Sequence, residues 1–303
     1  MKIGIIGLGN IALKAYLPSI SQMKQIDIHL CTRNEQVLQD VMDRFHISNG
    51  HTSLETLVEQ KLDAAFVHSS TDSHEKIIDF LLDHNIHVYV DKPLTNNAEA
   101  TNRLIDKANR LGLLLMVGFN RRYAKVYQKL KEVKDPTMIL MQKNRTFQLD
   151  TVREFVLDDF IHVIDTVLFL FPHDIEHVHV SGEVKENCLH HAVVQITGGG
   201  STAIAVMNRV NGASEERAEA AGADEKRVAE NVRELYILKD KRTEKQAEDD
   251  WEPTLTKRGF TPMIEDFLSA VRNGSSPAEN TNDQVRLVHE LAEDIIQKLE
   301  FSK

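Results

Sequence analysis

Cysteine is nearly absent from this chain of 303 residues. Its two thiols, Cys31 and Cys188, lie far apart and form no C-x-x-C pair, which excludes a disulfide framework and a cysteine zinc site. Basic charge is also short. With 36 Lys and Arg against 46 Asp and Glu, the net charge of −10 gives no overall attraction for nucleic acid or anionic lipid. No apolar run approaches the roughly 18 residues of a membrane span. The run after Lys2 is broken by Asn10, Lys14 and Pro18, too early for a secretory signal. Histidine is plentiful, yet no carboxylate or cysteine completes a ligand set around His177, His179, His190 and His191, so no metal is expected. These absences lead to the expectation of a mature, soluble, cytoplasmic protein that takes a small-molecule partner and neither nucleic acid nor membrane.

What is present is alternation. Short apolar runs, "KIGIIGLG" (2–9), "IDIHLCT" (26–32), "DAAFVHSS" (63–70), "HVYVDKP" (87–93) and "LLLMVGFN" (113–120), alternate with helix-like spacing. Apolar strands separated by helices predict βαβ units and a parallel sheet covered on both faces. After about residue 121 the pattern changes: a helical segment near 152–171 precedes strand candidates at 176–182, 189–197 and 201–210. Gly198-Gly199-Gly200 reads as the hairpin turn between the last two. Residues 214–231, "SEERAEAAGADEKRVAEN", fit either a helix or two edge strands turning at Gly222-Ala223-Asp224. Helices at 261–274, stopped by Gly274, and at 281–299, opened by a Thr281/Gln284 capping box, close the chain. The expected fold class is α/β: an N-terminal Rossmann domain with a doubly wound parallel sheet (1–120), then a C-terminal α+β domain with an open, mostly antiparallel sheet (121–303).

The sequence "GLGNIA" follows the first strand and gives Gly7, Gly9 and Ala12 the G-x-G-x-x-A spacing. Gly7 permits a tight turn, Gly9 lets the backbone approach a pyrophosphate, and Ala12 lets the helix pack close to the strand. Backbone N–H groups of Asn10 and Ile11, at the helix start, would then hold phosphates. An acid at the end of the second strand would select NAD(H) by binding the ribose 2′-hydroxyl. Here "CTRN" supplies Thr32 and Arg33, a hydroxyl and a guanidinium that favour the 2′-phosphate of NADP(H) over NAD(H).

The run "IHVYVDKPLT" ends in Asp91, Lys92 and Pro93, at a carboxyl strand end where open α/β sheets bind ligands. "DKP" is similar to the E-K-P motif of the Gfo/Idh/MocA family of NAD(P)-dependent oxidoreductases, with Asp91 in place of the usual Glu. In "DDFIHVID" (158–165) spacings of four and three put Asp158, His162 and Asp165 along one helical face. This resembles the family's D-x-G-x-H-x-x-D, with Phe160 replacing the glycine, a departure that narrows the pocket or marks a subgroup using Asp159. The resemblance implies that Lys92 touches cofactor and substrate and stabilises charge on the reacting oxygen. It makes His162 the general acid/base and Asp158 its orienting partner or a ligand for a substrate hydroxyl. "SSTDSHEKII" (69–78) looks like the loop that borders the nicotinamide with Ser69, Thr71 and His74. "VGFNRRY" (117–123) resembles the crossing between domains, with Asn120 and Arg121 facing the cleft. The likeness runs over nearly the whole chain and is weak over 210–260.

The implied reaction is hydride transfer between nicotinamide and a secondary hydroxyl or ketone of a sugar or cyclic polyol. The alternative is a dinucleotide-binding sensor or transcriptional co-regulator without turnover, and a second is an enzyme acting on an imine or a linear tetrapyrrole. "WEPTLTKRGF" (251–260) offers Lys257 and Arg258 either to an anionic substrate group or to solvent. By the same resemblance the protein is expected to be a homodimer or homotetramer.

Overall fold

The computed structural model describes residues 1–246 and 249–301. Two compact units divide the chain: Met1–Gly118 with Phe260–Arg286, and Phe119–Gly259 with Leu287–Lys303. A single cut after residue 120 therefore does not describe the chain path. The helix Phe260–Asn273 packs back on the first unit, where Phe267 meets the rings of Phe66 at 5.3 Å and Tyr89 at 5.6 Å.

The first unit carries a parallel sheet of β1 (Lys2–Ile6), β2 (Asp27–Cys31), β3 (Asn49–His51), β4 (Ala64–Val67), β5 (His87–Val90) and β6 (Leu115–Val117). Their order, β3-β2-β1-β4-β5-β6, places the reversal of winding between β1 and β4. Ligands of doubly wound sheets bind at the carboxyl ends beside such a reversal. Ile3, Ile5, Ala64 to Val67 and Val88 to Val90 are fully buried, as strands covered by helices on both faces require. The short β3 has no counterpart in the sequence reading, because an edge strand of Asn, Gly and His carries no apolar signal.

The second unit is built on eight strands: β7 (Met138–Asn144), β8 (His177–Lys185), β9 (Cys188–Gly198), β10 (Ser201–Asn208), β11 (Glu215–Ala221), β12 (Lys226–Glu230), β13 (Glu234–Lys239) and β14 (Arg242–Gln246). They lie in the order β14-β13-β12-β11-β7-β10-β9-β8, all antiparallel except β7 with β10. Gly199 and Gly200, at φ 56° and 81°, make the two-residue turn between β9 and β10, which needs left-handed backbone at both positions. Residues 214–231 form two strands turning near Gly222, but not edge strands: β12 and β11 lie inside the sheet, between β13 and β7. Glu216, Ala218 and Ala220 alternate inward along β11, and that burial overrides the helical preference of alanine. Among the described residues no helix is long and apolar enough to cross a membrane.

The long helix of this unit is continuous but not uniform. It runs α-helical over Val152–Glu154, π-helical over Phe155–Phe160 and α-helical again over Ile161–Leu170. The wider π turn changes the facing, so Asp158, His162 and Asp165 do not share one environment. Asp158 is exposed, His162 half-buried and Asp165 fully buried. Asp165 accepts from Arg122 Nε at 2.9 Å and Nη2 at 2.6 Å, and the guanidinium stands over the rings of Phe119 and Phe169. Burial pushes the Asp165 carboxyl up, and Arg122, in contact with it, and Arg121 oppose that shift. Asp165→Asn leaves Arg122 buried without its countercharge, and we expect about 3–5 kcal/mol of lost stability in urea unfolding; a loss below about 1 kcal/mol would show that the pair does not hold the helix.

Candidate active site

At the carboxyl end of the parallel sheet, four loops bring the predicted cofactor residues together. Gly7 to Ala12 follow β1, Thr32 and Arg33 follow β2, Ser69 and Thr71 follow β4, and Asp91 and Lys92 follow β5. Gly7 sits at φ 87°, and a Cβ there would lie 2.5 Å from Ser69 N and 2.7 Å from the His68 carbonyl carbon. Only glycine meets both demands. A Cβ on Gly9 would meet nothing within 4 Å, so the backbone faces open space at the start of the helix, as close approach of a pyrophosphate requires. Ala12, in the first turn of that helix, is fully buried. Asn10 and Arg33 are exposed, Ile11 and Thr32 half-buried, and no acid follows β2. These residues fit a dinucleotide.

Lys92 is half-buried in a turn held from two sides. Its peptide bond to Pro93 is cis, and the Pro93 carbonyl lies 3.0 Å from His74 Nδ1. The other ring nitrogen of His74 lies 3.0 Å from the Ser69 carbonyl. His74, expected to border the nicotinamide, is instead buried with both nitrogens facing main-chain oxygens, so it joins the Ser69 and Pro93 loops. On the other side, Asp91 accepts the Lys92 backbone N–H and the Tyr16 hydroxyl, the latter at 3.3 Å.

In the second unit, His162 is half-buried at the start of the Ile161–Leu170 helix and its carbonyl accepts from Thr166 Oγ1 at 2.7 Å. Asp159 is buried and bonded to Lys143 and, at 2.9 Å, to Arg145 Nε. Arg121 forms a bidentate pair with Glu216, two bonds of 2.7 Å, and Tyr127 donates to the same carboxylate at 2.6 Å. Asn120 donates to the Arg258 carbonyl at 2.7 Å, and Gly259, at φ 82°, would push a Cβ to 2.1 Å from the Asn120 carbonyl oxygen. Of the residues expected on substrate, then, Asp159, Arg121 and Asn120 are engaged in internal bonds. Asp158 and His162 keep exposed surface.

Residues 1–119 match the model of the oxidoreductase family with a NAD-binding Rossmann fold, and residues 123–240 match the YceM-like C-terminal domain. The chain is 31% identical to the YceM protein of Salmonella typhimurium over 97% of its own length and 96% of that protein's. It is 26% identical to the myo-inositol 2-dehydrogenase of Thermotoga maritima over 78% of each chain. The crystal structure of a Gfo/Idh/MocA family oxidoreductase from Vibrio cholerae superposes with a TM-score of 0.93 at 32% identity, covering 99% of this chain and 98% of that one. The chain belongs to the Gfo/Idh/MocA family. It is an NAD(P)-dependent oxidoreductase.

Sequence reasoning about this family member missed the ionic network that surrounds Asp159. Burial pushes the Glu216 carboxyl up, but Arg121, Lys143 and Tyr127 outweigh it and hold the group at about 2. Burial likewise opposes ionisation of Asp159, and Arg145 with Lys143 holds it well below the usual carboxylate range. Burial and the nearby Arg121 push the Lys143 ammonium down to about 7 even though Asp159 favours its charge. Arg145 pairs with Asp159 as well, so the carboxylate is firmly ionised. A depressed carboxyl contributes stability above its unfolded value that is lost as pH falls toward its folded value. Stability should therefore hold from pH 7 to about 5 and fall below about 4.3, the ordinary Glu value. In Glu216→Gln, thermal unfolding at neutral pH should show a loss on the order of 3 kcal/mol and a shallower decline in acid; an unchanged acid limb would show that Glu216 does not set it.

Proposed function

We propose that the enzyme transfers a hydride between NADP(H) and a secondary hydroxyl or ketone of a sugar or cyclic polyol. The observation that carries the reading is Lys92: an amine on a doubly held turn, at the same sheet end as the Gly7–Ala12 cradle. The myo-inositol dehydrogenase relative supports a polyol. When bound, nicotinamide accepts or returns the hydride. Lys92 donates a hydrogen bond to the reacting oxygen and stabilises the negative charge that develops there. His162 takes the hydroxyl proton during oxidation and returns it during reduction. Asp158, with its exposed carboxylate, orients that imidazole or binds a neighbouring hydroxyl, a role closed to Asp159 by Lys143 and Arg145. Arg33 meets the 2′-phosphate.

A panel of cyclitols, pentoses and hexoses assayed for NADP reduction tests the reaction, and a protein that binds NADPH yet never reduces NADP on any of them would be a sensor. On the substrate so found, Lys92→Ala and His162→Ala should each lose on the order of 100-fold or more in kcat while NADPH affinity stays within about threefold. Undiminished turnover in either variant removes its assigned role. Arg33→Ala should weaken NADP binding by about tenfold and leave NAD binding unchanged. Equal losses for the two cofactors would count against NADP selectivity.

A further inference from the structure

Tyr16 lies at the end of the π-helical stretch Ala12–Tyr16, in the helix that opens at the Gly7–Ala12 turn. One residue inserted into a helical turn rotates the residues beyond it by roughly 100° about the axis. The Tyr16 ring is fully buried against His68, with centroids 3.9 Å apart and the planes tilted by 33°. Its hydroxyl lies 2.8 Å from Tyr89 Oη and 3.3 Å from Asp91 Oδ1. Gly118, just past β6, leaves the room: a Cβ there would stand 2.5 Å from Tyr89 Oη, 3.0 Å from Tyr16 Oη and 3.2 Å from Asp91 Oδ1. An ionised carboxylate only accepts, so Tyr16 donates to Asp91 and accepts from Tyr89, whose hydroxyl also lies 3.4 Å from Met263 Sδ. Burial, then Tyr89 and Asp91, keep the Tyr16 phenol well above its usual range, so it remains a donor.

Resting on the reading that Lys92 acts on the substrate, we propose that Tyr16 is a positioning residue for it. The Tyr16 hydroxyl, supported by Tyr89, fixes the Asp91 carboxylate that accepts the Lys92 N–H, and so ties the dinucleotide-binding helix to the turn that presents the lysine. The titratable groups facing Asp91 are Tyr16 from the first helix, His74 from the helix Thr71–Asp83, and Lys92 beside it. Burial raises the Asp91 carboxyl; Lys92, His74 and the Tyr16 hydroxyl all favour its charged form. Removing the hydroxyl therefore takes away one support of the anion, and Asp91 must titrate higher. A tyrosine that merely filled space would leave that titration where it was.

The test needs no substrate. With aspartate labelled with 13C at the side-chain carboxyl, the Asp91 signal is assigned by its loss in Asp91→Asn and followed against pH. In Tyr16→Phe its midpoint should rise by about half a pH unit or more. Acylation of Lys92 by acetic anhydride at about pH 8, read by peptide mass spectrometry against the exposed Lys76, should rise about threefold or more in Tyr16→Phe and in Asp91→Asn, with no further rise in the double variant. An unmoved midpoint, unmoved acylation, or additive effects in the double variant overturns the proposal. NADPH affinity kept within about threefold reports a folded Tyr16→Phe; should that variant not fold, Tyr89→Phe must move the midpoint in the same direction or the proposal falls. Full turnover in Lys92→Ala would defeat the catalytic reading while leaving these measurements to stand or fall alone.

Discussion

The approach of Gly7 to the main chain at Ser69 is the constraint on which the cofactor half depends. With a Cβ 2.5 Å from Ser69 N, neither β1 nor β4 could keep its end where it is. Because Ser69 is in place, its carbonyl can face one nitrogen of His74 while Pro93 faces the other. Because Pro93 is in place, the turn carrying Lys92 is fixed from behind, as Asp91 fixes it from in front. Each link joins a loop of the first unit to the next, so the relation of lysine to dinucleotide cradle is set within that unit alone.

The second unit uses the opposite means. Buried ion pairs are costly to desolvate and stabilise weakly against apolar replacements, but breaking one partner leaves a charge stranded. Three such pairs, Arg122 with Asp165, Arg121 with Glu216 and Lys143 with Asp159, connect the start of this unit, β7, β11 and the helix that bears His162. Each has a geometry that an apolar contact would not enforce. Their effect is to fix the rotation of that helix. Asp159 and Asp165 are bound inward at either side of His162, which sets the direction left to the imidazole between them.

The elements legible in the sequence are those whose signal is local. Strands β1, β2, β4, β5 and β6 are apolar on both faces because helices cover both, so their runs stand out from the polar loops. The glycine turn and the Asp91-Lys92-Pro93 strand end are likewise contiguous, and their place in a βαβ pattern gives them meaning. β7 escaped because Lys143 and Asn144 are buried polar residues, and their partners Asp159 and Glu215 lie 16 and 71 residues away. Arg121 reads as a cleft residue until Glu216, 95 positions on, is brought against it. Tyr16 gave no signal for the same reason, since Asp91 follows it by 75 residues. The π turn at Phe155–Phe160 is also hidden, because helical spacing in sequence presumes 3.6 residues per turn.

Asp91 and Asp159 show how the same side chain serves two ends in one chain. Burial pushes both carboxyls up, by the same physics. At Asp159 Lys143 and Arg145, in direct contact, more than reverse the push, with Arg209 a further neighbour at 3.5 Å, and the carboxyl is a permanent charge. At Asp91 the neighbouring Lys92, His74 and one phenol do not suffice, and the carboxyl stays above its ordinary value. A carboxyl held far below its ordinary range keeps its charge; one pushed above that range is the more easily changed by its surroundings. A change of charge beside Lys92 would alter the field at Asp91 and hence the strength of its bond to Tyr16. Asp159, compensated by Lys143 and Arg145, is insulated from such changes. The two carboxyls thus differ in kind: Asp159 is fixed between cations on the His162 helix, and Asp91 is held by one phenol and its own turn.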